Sequence, residues 1–174
     1  ENNVEILDGR AILADPHTVE IGGRSVTAEH ILVAAGSWPS MPDIPGIEHV
    51  ITSNEALDLD SQPERVAIVG GGYIAVEFAG IFHGLGSEVT EIVRGDTILR
   101  GFDEDMRLTL ADEMRKRGIR LMTETVVRSI EKEDDAFSLR FAGGDTLTVD
   151  AVMYATGRTP NSRGIGLEEA GVEL

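Results

Sequence analysis

Cysteine is absent from the 174 residues. A structural disulfide, a thiolate metal site and a thiol nucleophile are therefore excluded within this chain. Histidine is sparse: His17, His30, His49 and His83 are scattered, none paired at a metal-ligand spacing, so they read as surface or satisfied core residues and no metal site is expected. Basic residues are outnumbered, 15 Lys and Arg against 31 Asp and Glu, giving a formal charge of −16. A surface that acidic repels nucleic acid and anionic lipid unless a basic patch is local. The basic cluster Arg115-Lys116-Arg117 reads as the solvated last turn of a helix. No apolar run is long enough to span a membrane as a helix, and no signal or transit pattern opens the chain. It begins Glu1-Asn2-Asn3, without Met, from which a fragment or a processed chain is expected. The apolar fraction of 41% is ordinary and sufficient for a core.

The first 34 residues contain short candidate strands, "VEIL", "AILA", "TVEIG" and "SVTA", separated by Asp-Gly, Asp-Pro and Gly-Gly turn signals. They predict a small antiparallel meander. "HILVAAG" follows as a continuous apolar run, predicting a strand buried on both faces. Pro39, Pro42 and Pro45 then deny helix and central strand, marking a linker. Thr52-Ser53-Asn54-Glu55 has capping-box spacing and starts a short helix, "NEALDL".

From Arg65 the pattern becomes strand, helix, strand, helix, strand. Val66–Val69 is an apolar strand. Tyr73 to Leu85 carries Ala75, Phe78, Ala79, Phe82 and Leu85 at the spacing of one helix face, with Gly86 just past its end. "EVTEIV" is the second strand. Asp103-Glu104-Asp105 opens a helix with Met106, Leu110 and Met114 along one stripe, and "IRLMT" is the third strand. "VVRSIEK", "FSLRFA" and "TLTVD" form a meander, and "AVMYATG" is a last buried strand. The crossover rule makes the strand–helix part a parallel sheet. The expected class is α/β: a Rossmann-like parallel sheet with helices on its faces and a three-stranded antiparallel meander. Residues 1–36 are remnant strands of a second, similar domain, because they repeat the meander-then-apolar-strand pattern.

"VAIVGGGYIAVEFAG" contains Gly70-x-Gly72-x-x-Ala75 between an apolar strand and an amphipathic helix, the required context for a dinucleotide-binding turn. Gly70 permits the tight turn, Gly72 lets the backbone approach a pyrophosphate, and Ala75 keeps the helix close to the sheet. The helix N-terminus offers free N–H groups to the phosphates. A structural strand-to-helix turn is the plainer alternative. At the end of the second strand such folds usually carry Asp or Glu for a ribose hydroxyl. Here Arg94 stands there, with Arg100 following in "IVRGDTILR". A 2′-phosphate adds about two negative charges, which a carboxylate repels and a guanidinium grips. The missing acid and the two arginines together point to NADP rather than NAD, although either arginine alone reads as a surface charge. Glu77, one turn past Ala75, either faces the nicotinamide end or is an exposed helix acid; the residues alone favour the second.

"VGGGYIAVEFAGIFHGLGSEVT", "RGDTILRGFD" and "ATGRTPN" resemble the NADPH domain of the glutathione reductases, within the FAD-dependent pyridine nucleotide-disulfide oxidoreductase family. Residues 2–46, "NNVEILDGRAILADPHTVEIGGRSVTAEHILVAAGSWPSMPDIPG", resemble the end of the FAD domain of the same enzymes. The resemblance implies FAD-domain residues at 1–36, an NADPH-binding domain at 37–156, and a return segment toward the FAD domain at 157–174. It implies that Tyr73 covers the nicotinamide pocket and that Glu77 contacts the carboxamide region. Gly71, Ile74, Arg94, Arg100 and Gly157 match positions lining the NADPH site, and Ala11 matches a backbone contact to FAD. Ala35 replaces a common Thr, and Gly95 stands where many relatives carry His or Lys, so fewer cations hold the phosphate.

The resemblance further implies a homodimeric, cytoplasmic enzyme that passes hydride from NADPH to FAD and then to a cysteine pair outside this chain, which attacks glutathione disulfide. This chain holds no catalytic residue of its own. No nucleic acid or membrane partner is expected. Two alternatives stand beside this reading: the NADPH domain of another disulfide reductase, such as a trypanothione-type enzyme, and a non-catalytic NADPH-binding module. The compact helix end "FHGLGSEVT" sides with glutathione, since trypanothione enzymes resemble a longer version there.

Overall fold

The computed structural model describes residues 4–174. Two compact units emerge, Glu1–Trp38 with Thr159–Leu174, and Pro39–Arg158.

In the first unit, β1 (Ala11–Asp15), β2 (Thr18–Ile21) and β3 (Arg24–Thr27) form the expected antiparallel meander. The returning segment lies along β1: the Leu13 N–H donates to the Ile165 carbonyl at 2.9 Å, and Arg10 Nη2 donates to the Gly164 carbonyl. Gly166, at φ +82°, passes so close to the Leu13 carbonyl that a Cβ there would overlap it. Two predicted strands are corrected. "VEIL" and "HILVAAG" form no strand, and Leu32 is 91% exposed. A strand buried on both faces needs partners at its edges and layers above and below. Among the described residues no strand pairs with 30–36; Asn161 donates its N–H to the Gly36 carbonyl and its Nδ2 to the Ala35 carbonyl, each at 3.0 Å, which does not extend into a ladder.

The chain crosses between units within β4 (Ser37–Pro39) and β12 (Arg158–Pro160). In the second unit a 3-10 turn at Ile47–His49 precedes α1 (Ser53–Ala56). Thr52 caps α1 in a full capping box: its hydroxyl oxygen accepts from the Asn54 N–H, and the Glu55 carboxylate accepts from the Thr52 N–H at 2.7 Å. The helix stops after four residues, shorter than "NEALDL" predicts, and leaves Leu57 exposed. It buries no residue that could extend it.

The parallel sheet has the order β11-β5-β6-β7, from β5 (Arg65–Val69), β6 (Glu88–Ile92), β7 (Arg120–Met122) and β11 (Ala151–Tyr154). α2 (Tyr73–Gly84) and α3 (Glu104–Lys116) cover one face, burying Ala75, Phe78, Ala79, Phe82, Ala111 and Met114 against Val66, Ile68 and Val89. The antiparallel meander β8 (Val127–Glu133), β9 (Ala136–Phe141) and β10 (Thr146–Val149) covers the other, packing Val127, Ile130, Leu139 and Phe141 on Ala67, Ile92 and Val152. Both faces are covered, which is why these strands read as continuous apolar runs. Gly86, at φ +102°, ends α2 as expected, and Gly118, at φ +100°, ends α3 in the same way. The predicted stripe on α3 is shifted: Met114 is buried, but Met106 is exposed, because the first turn of α3 has no layer above it. Arg115 and Lys116 pair with Asp112 and Glu113 at the solvated helix end.

At the N-terminal edge of the sheet Arg65 grips Asp150 with two side-chain hydrogen bonds, and its own N–H donates to the same carboxylate at 2.8 Å. These bonds hold the Asp150 carboxyl below its ordinary pKa. They lock the starts of β5 and β11 together, and so set where the opposite ends of those strands fall.

Candidate dinucleotide-binding site

The sheet order places a switch point between β5 and β11. The chain leaves β5 toward β6 on one side, and β11 is added on the other. Loops that diverge from two neighbouring parallel strands open a crevice at their C-terminal ends, where ligands of such sheets bind.

On one side of that point lies the glycine turn. Gly70, at φ +144°, donates its N–H to the Ile92 carbonyl at 3.0 Å. A Cβ on it would overlap the Ala155 carbonyl oxygen and lie 3.4 Å from the Ala75 Cβ. The turn therefore nests against both the end of β11 and the first turn of α2. Gly71 is confined in the same way, since a Cβ there would fall 2.7 Å from Val93 Cγ1. Gly72 is the opposite case. It is the exposed N-cap of α2, with nothing within 4 Å of an added Cβ, and it supplies no side-chain cap. The first-turn N–H groups at Tyr73, Ile74 and Ala75 have no intrahelical acceptor. Free N–H groups of this kind, with the helix dipole behind them, favour negative charge. The open space over Gly72 is room that a larger residue would fill.

Ala75 is fully buried, and Ile74 is half-buried against the helix-side core, so Ile74 can meet a ligand through its backbone. Tyr73 and Glu77 are exposed and four residues apart, which puts them on one helix face. Beyond β11, Gly157 sits at φ +149°; its carbonyl accepts from the Ser40 N–H at 2.9 Å, and Thr156 Oγ1 donates to the Ser40 carbonyl. Ala11 belongs to the first unit, where it is an exposed residue of β1 paired with Ile21.

Arg94 and Arg100 flank the loop after β6. Both are exposed, and neither guanidinium has a partner among the described residues. The loop folds back onto the glycine turn: the Leu99 N–H donates to the Gly71 carbonyl at 2.5 Å, and Ile98 beneath it is fully buried. Two unpaired cations are thus tethered beside the uncapped end of α2, on a chain of strongly negative charge.

Two residues with consequences here escape a reading of the sequence. Arg107, on α3, is 17% exposed, donates from Nε to the Ile98 carbonyl at 2.9 Å, and lies 3.7 Å from Asp96. Glu91, on β6, is fully buried, and neither carboxylate oxygen has a hydrogen-bond partner. Burial pushes its pKa up to about 8. An acid flanked by buried alternating positions in "VTEIV" was the available signal for Glu91. Arg107 gives none, because its partner is a backbone carbonyl in another element.

Residues 1–174 match the model of the pyridine nucleotide-disulphide oxidoreductase family. The chain is 49% identical over 173 residues to a glutathione reductase of Nostoc sp., covering 98% of this chain and 38% of that protein. It is 48% identical over 151 residues to a trypanothione reductase of Trypanosoma congolense, covering 84% of this chain and 31% of that protein. The solved structure of the HOCl-induced flavoprotein disulfide reductase RclA from Escherichia coli superposes with a TM-score of 0.86 at 30% identity, over 99% of this chain and 40% of that one. The chain thus spans well under half the length of the relatives it matches.

Proposed function

The chain belongs to the pyridine nucleotide-disulphide oxidoreductase family, and on that premise we propose that it is the NADPH-binding part of a flavin-dependent glutathione-disulfide reductase. Residues 37–156 form the NADPH domain in this reading, and residues 1–36 and 157–174 belong to the FAD domain. When bound, the cofactors supply hydride transfer from NADPH through FAD to a cysteine pair outside this chain, which reduces glutathione disulfide.

The observation that carries the reading is the unpaired couple Arg94 and Arg100 beside an uncapped helix start. These residues fit the cofactor. Gly70 and Gly71 leave no volume for side chains where the backbone must come close, and Gly72 leaves open space above the N–H groups. Those N–H groups would hold the pyrophosphate, and the two guanidiniums the 2′-phosphate. Tyr73, Glu77 and Gly157 would line the nicotinamide end. Ala11 would contact FAD through its backbone. The whole protein is a cytoplasmic homodimer in this reading. A trypanothione-type substrate is the second reading, favoured by the Trypanosoma relative; turnover of the two disulfides by the whole protein separates them.

The test of the cofactor is calorimetric titration with NADPH and NADH. Arg94→Ala should weaken NADPH binding by roughly 1.5–3 kcal/mol, the range for hydrogen bonds to charged groups, and leave NADH binding nearly unchanged. Equal loss of both would remove the phosphate from this loop.

A further inference from the structure

Between Arg94 and Arg100 the loop has backbone ties on either side of its centre. The Glu124 N–H donates to the Gly95 carbonyl at 2.8 Å, and the Leu99 N–H donates to the Gly71 carbonyl. Leu99 adopts φ +54°, a left-handed conformation uncommon for leucine, and Gly101 follows at φ +95°. Such a backbone holds its shape only when its surroundings over-determine it. The Thr97 hydroxyl, buried and without a partner, contributes nothing to that restraint. The side chain that does is Arg107. Its Nε–H takes the Ile98 carbonyl at 2.9 Å, and its Nη2 stands 3.7 Å from Asp96, whose own side chain is 87% exposed. An ion pair that open to water contributes little, so the hydrogen bond to Ile98 is the effective restraint.

We propose that Arg107 is a positioning residue for coenzyme selectivity: it holds the 94–101 loop against the glycine turn, so that Arg94 and Arg100 are set in advance for a single phosphate. The inference rests on the reading of Arg94 and Arg100 as the 2′-phosphate cradle. Two long cationic side chains on a free loop would each lose conformational freedom on gripping the same group, and a loop ordered beforehand reduces that cost. Gly95 adds to the need, since it supplies no third cation within the loop. Arg107 is itself largely covered and spends its Nε–H inside the protein, so it acts through the loop rather than on the ligand.

Arg107→Met keeps an unbranched apolar stem and removes the donor and the charge. Arg107→Lys keeps the charge but loses the planar Nε–H. Both variants, Arg94→Ala and the unchanged protein are titrated with NADPH and NADH. Arg107→Met should weaken NADPH about tenfold and NADH by no more than about twofold, and Arg107→Lys should restore less than half of that loss on a logarithmic scale. Equal loss of both coenzymes would make Arg107 merely structural and overturn the proposal. So would an unchanged NADPH:NADH ratio in Arg107→Lys, which also serves if Arg107→Met fails to fold. If the unchanged protein does not prefer NADPH, or Arg94→Ala does not abolish the preference, the cradle itself is wrong and this inference falls with it. If the cradle stands while both Arg107 variants keep the ratio, only the positioning role is lost.

Discussion

Replacing Glu91 with leucine should remove most of the protein's stability loss between pH 5 and pH 8.5, a change of about 2–4 kcal/mol in unfolding free energy across that window. Glu91 lies in the middle of the parallel sheet, in register with Ile68 on β5 and Leu121 on β7. Strand alternation puts it on the same face as Val89 and Val93, which pack in the core beneath α2 and α3. No ion pair or hydrogen bond reaches its carboxylate among the described residues. An isolated charge in such a place is far costlier than a neutral carboxyl, and burial raises the pKa from 4.5 to about 8.

The sign follows from proton linkage. The folded protein binds this proton more tightly than the unfolded chain does. The associated stability is complete below pH 4.5, declines as pH rises toward 8, and is fully lost above it. A rise from 4.5 to about 8 corresponds to roughly 5 kcal/mol at most, and relaxation around the charge lowers that figure. Asp150, held down by Arg65, and Glu55, held down by Thr52, act in the other direction and at lower pH. Their stabilisation disappears only as pH falls through their lowered pKa values, so they leave this window clear. Leucine also removes two unsatisfied oxygens, so the variant should gain about 1–3 kcal/mol even at pH 5. Urea unfolding at the two pH values measures both effects. If the difference between pH 5 and pH 8.5 is the same in Glu91→Leu as in the unchanged protein, Glu91 does not titrate from a buried site.

Glu91 also shows where the sequence is legible and where it is not. "VAIVGGGYIAVEFAG" discloses strand, turn and helix because each is governed by local chemistry: an apolar run, three residues without side chains, and a 3.6-residue period. The capping box at Thr52 and the stops at Gly86 and Gly118 are local in the same sense. "HILVAAG" has the composition of a buried strand, but strand pairing depends on what lies alongside, and among the described residues no strand lies in register with 30–36. Met106 fits the helical stripe, yet burial depends on whether another layer reaches that turn, and none does. At the site, glycines and unpaired arginines stand out because their types are unusual for their places. The support beneath them does not stand out. Arg107 looks like any helix arginine until the fold brings the Ile98 carbonyl to it.

Gly70→Ala and Gly72→Ala should separate fold from site, although the two glycines are only two residues apart. Gly70→Ala puts a Cβ into the Ala155 carbonyl oxygen at a backbone conformation that L residues rarely adopt. That carbonyl cannot easily retreat. The Ala155 N–H donates to the Val69 carbonyl at 2.8 Å, and Tyr154 is in parallel register with Val69. Gly70 itself is bonded to the Ile92 carbonyl. Relief requires parting the ends of β5 and β11, and the expected loss is about 3 kcal/mol or more, in the range of overpacking plus backbone strain. NADPH and NADH binding should fall together, unlike the selective loss expected for Arg94→Ala. Gly72→Ala meets no atom within 4 Å and sits at φ −84°, so it should cost no more than about 1 kcal/mol, the preference of an N-cap for glycine over alanine. Its methyl group nevertheless occupies the space above the uncapped N–H groups, and both coenzymes should bind about tenfold or more weakly through lost backbone approach. Thermal melts and coenzyme titrations on the two variants read these effects separately. A Gly70→Ala protein that melts like the unchanged one would mean that β11 and the turn are not in the tight contact described. A Gly72→Ala protein that binds both coenzymes undiminished would mean that the pyrophosphate does not lie over this helix end, and the phosphate role of Arg94 and Arg100 would lose its anchor.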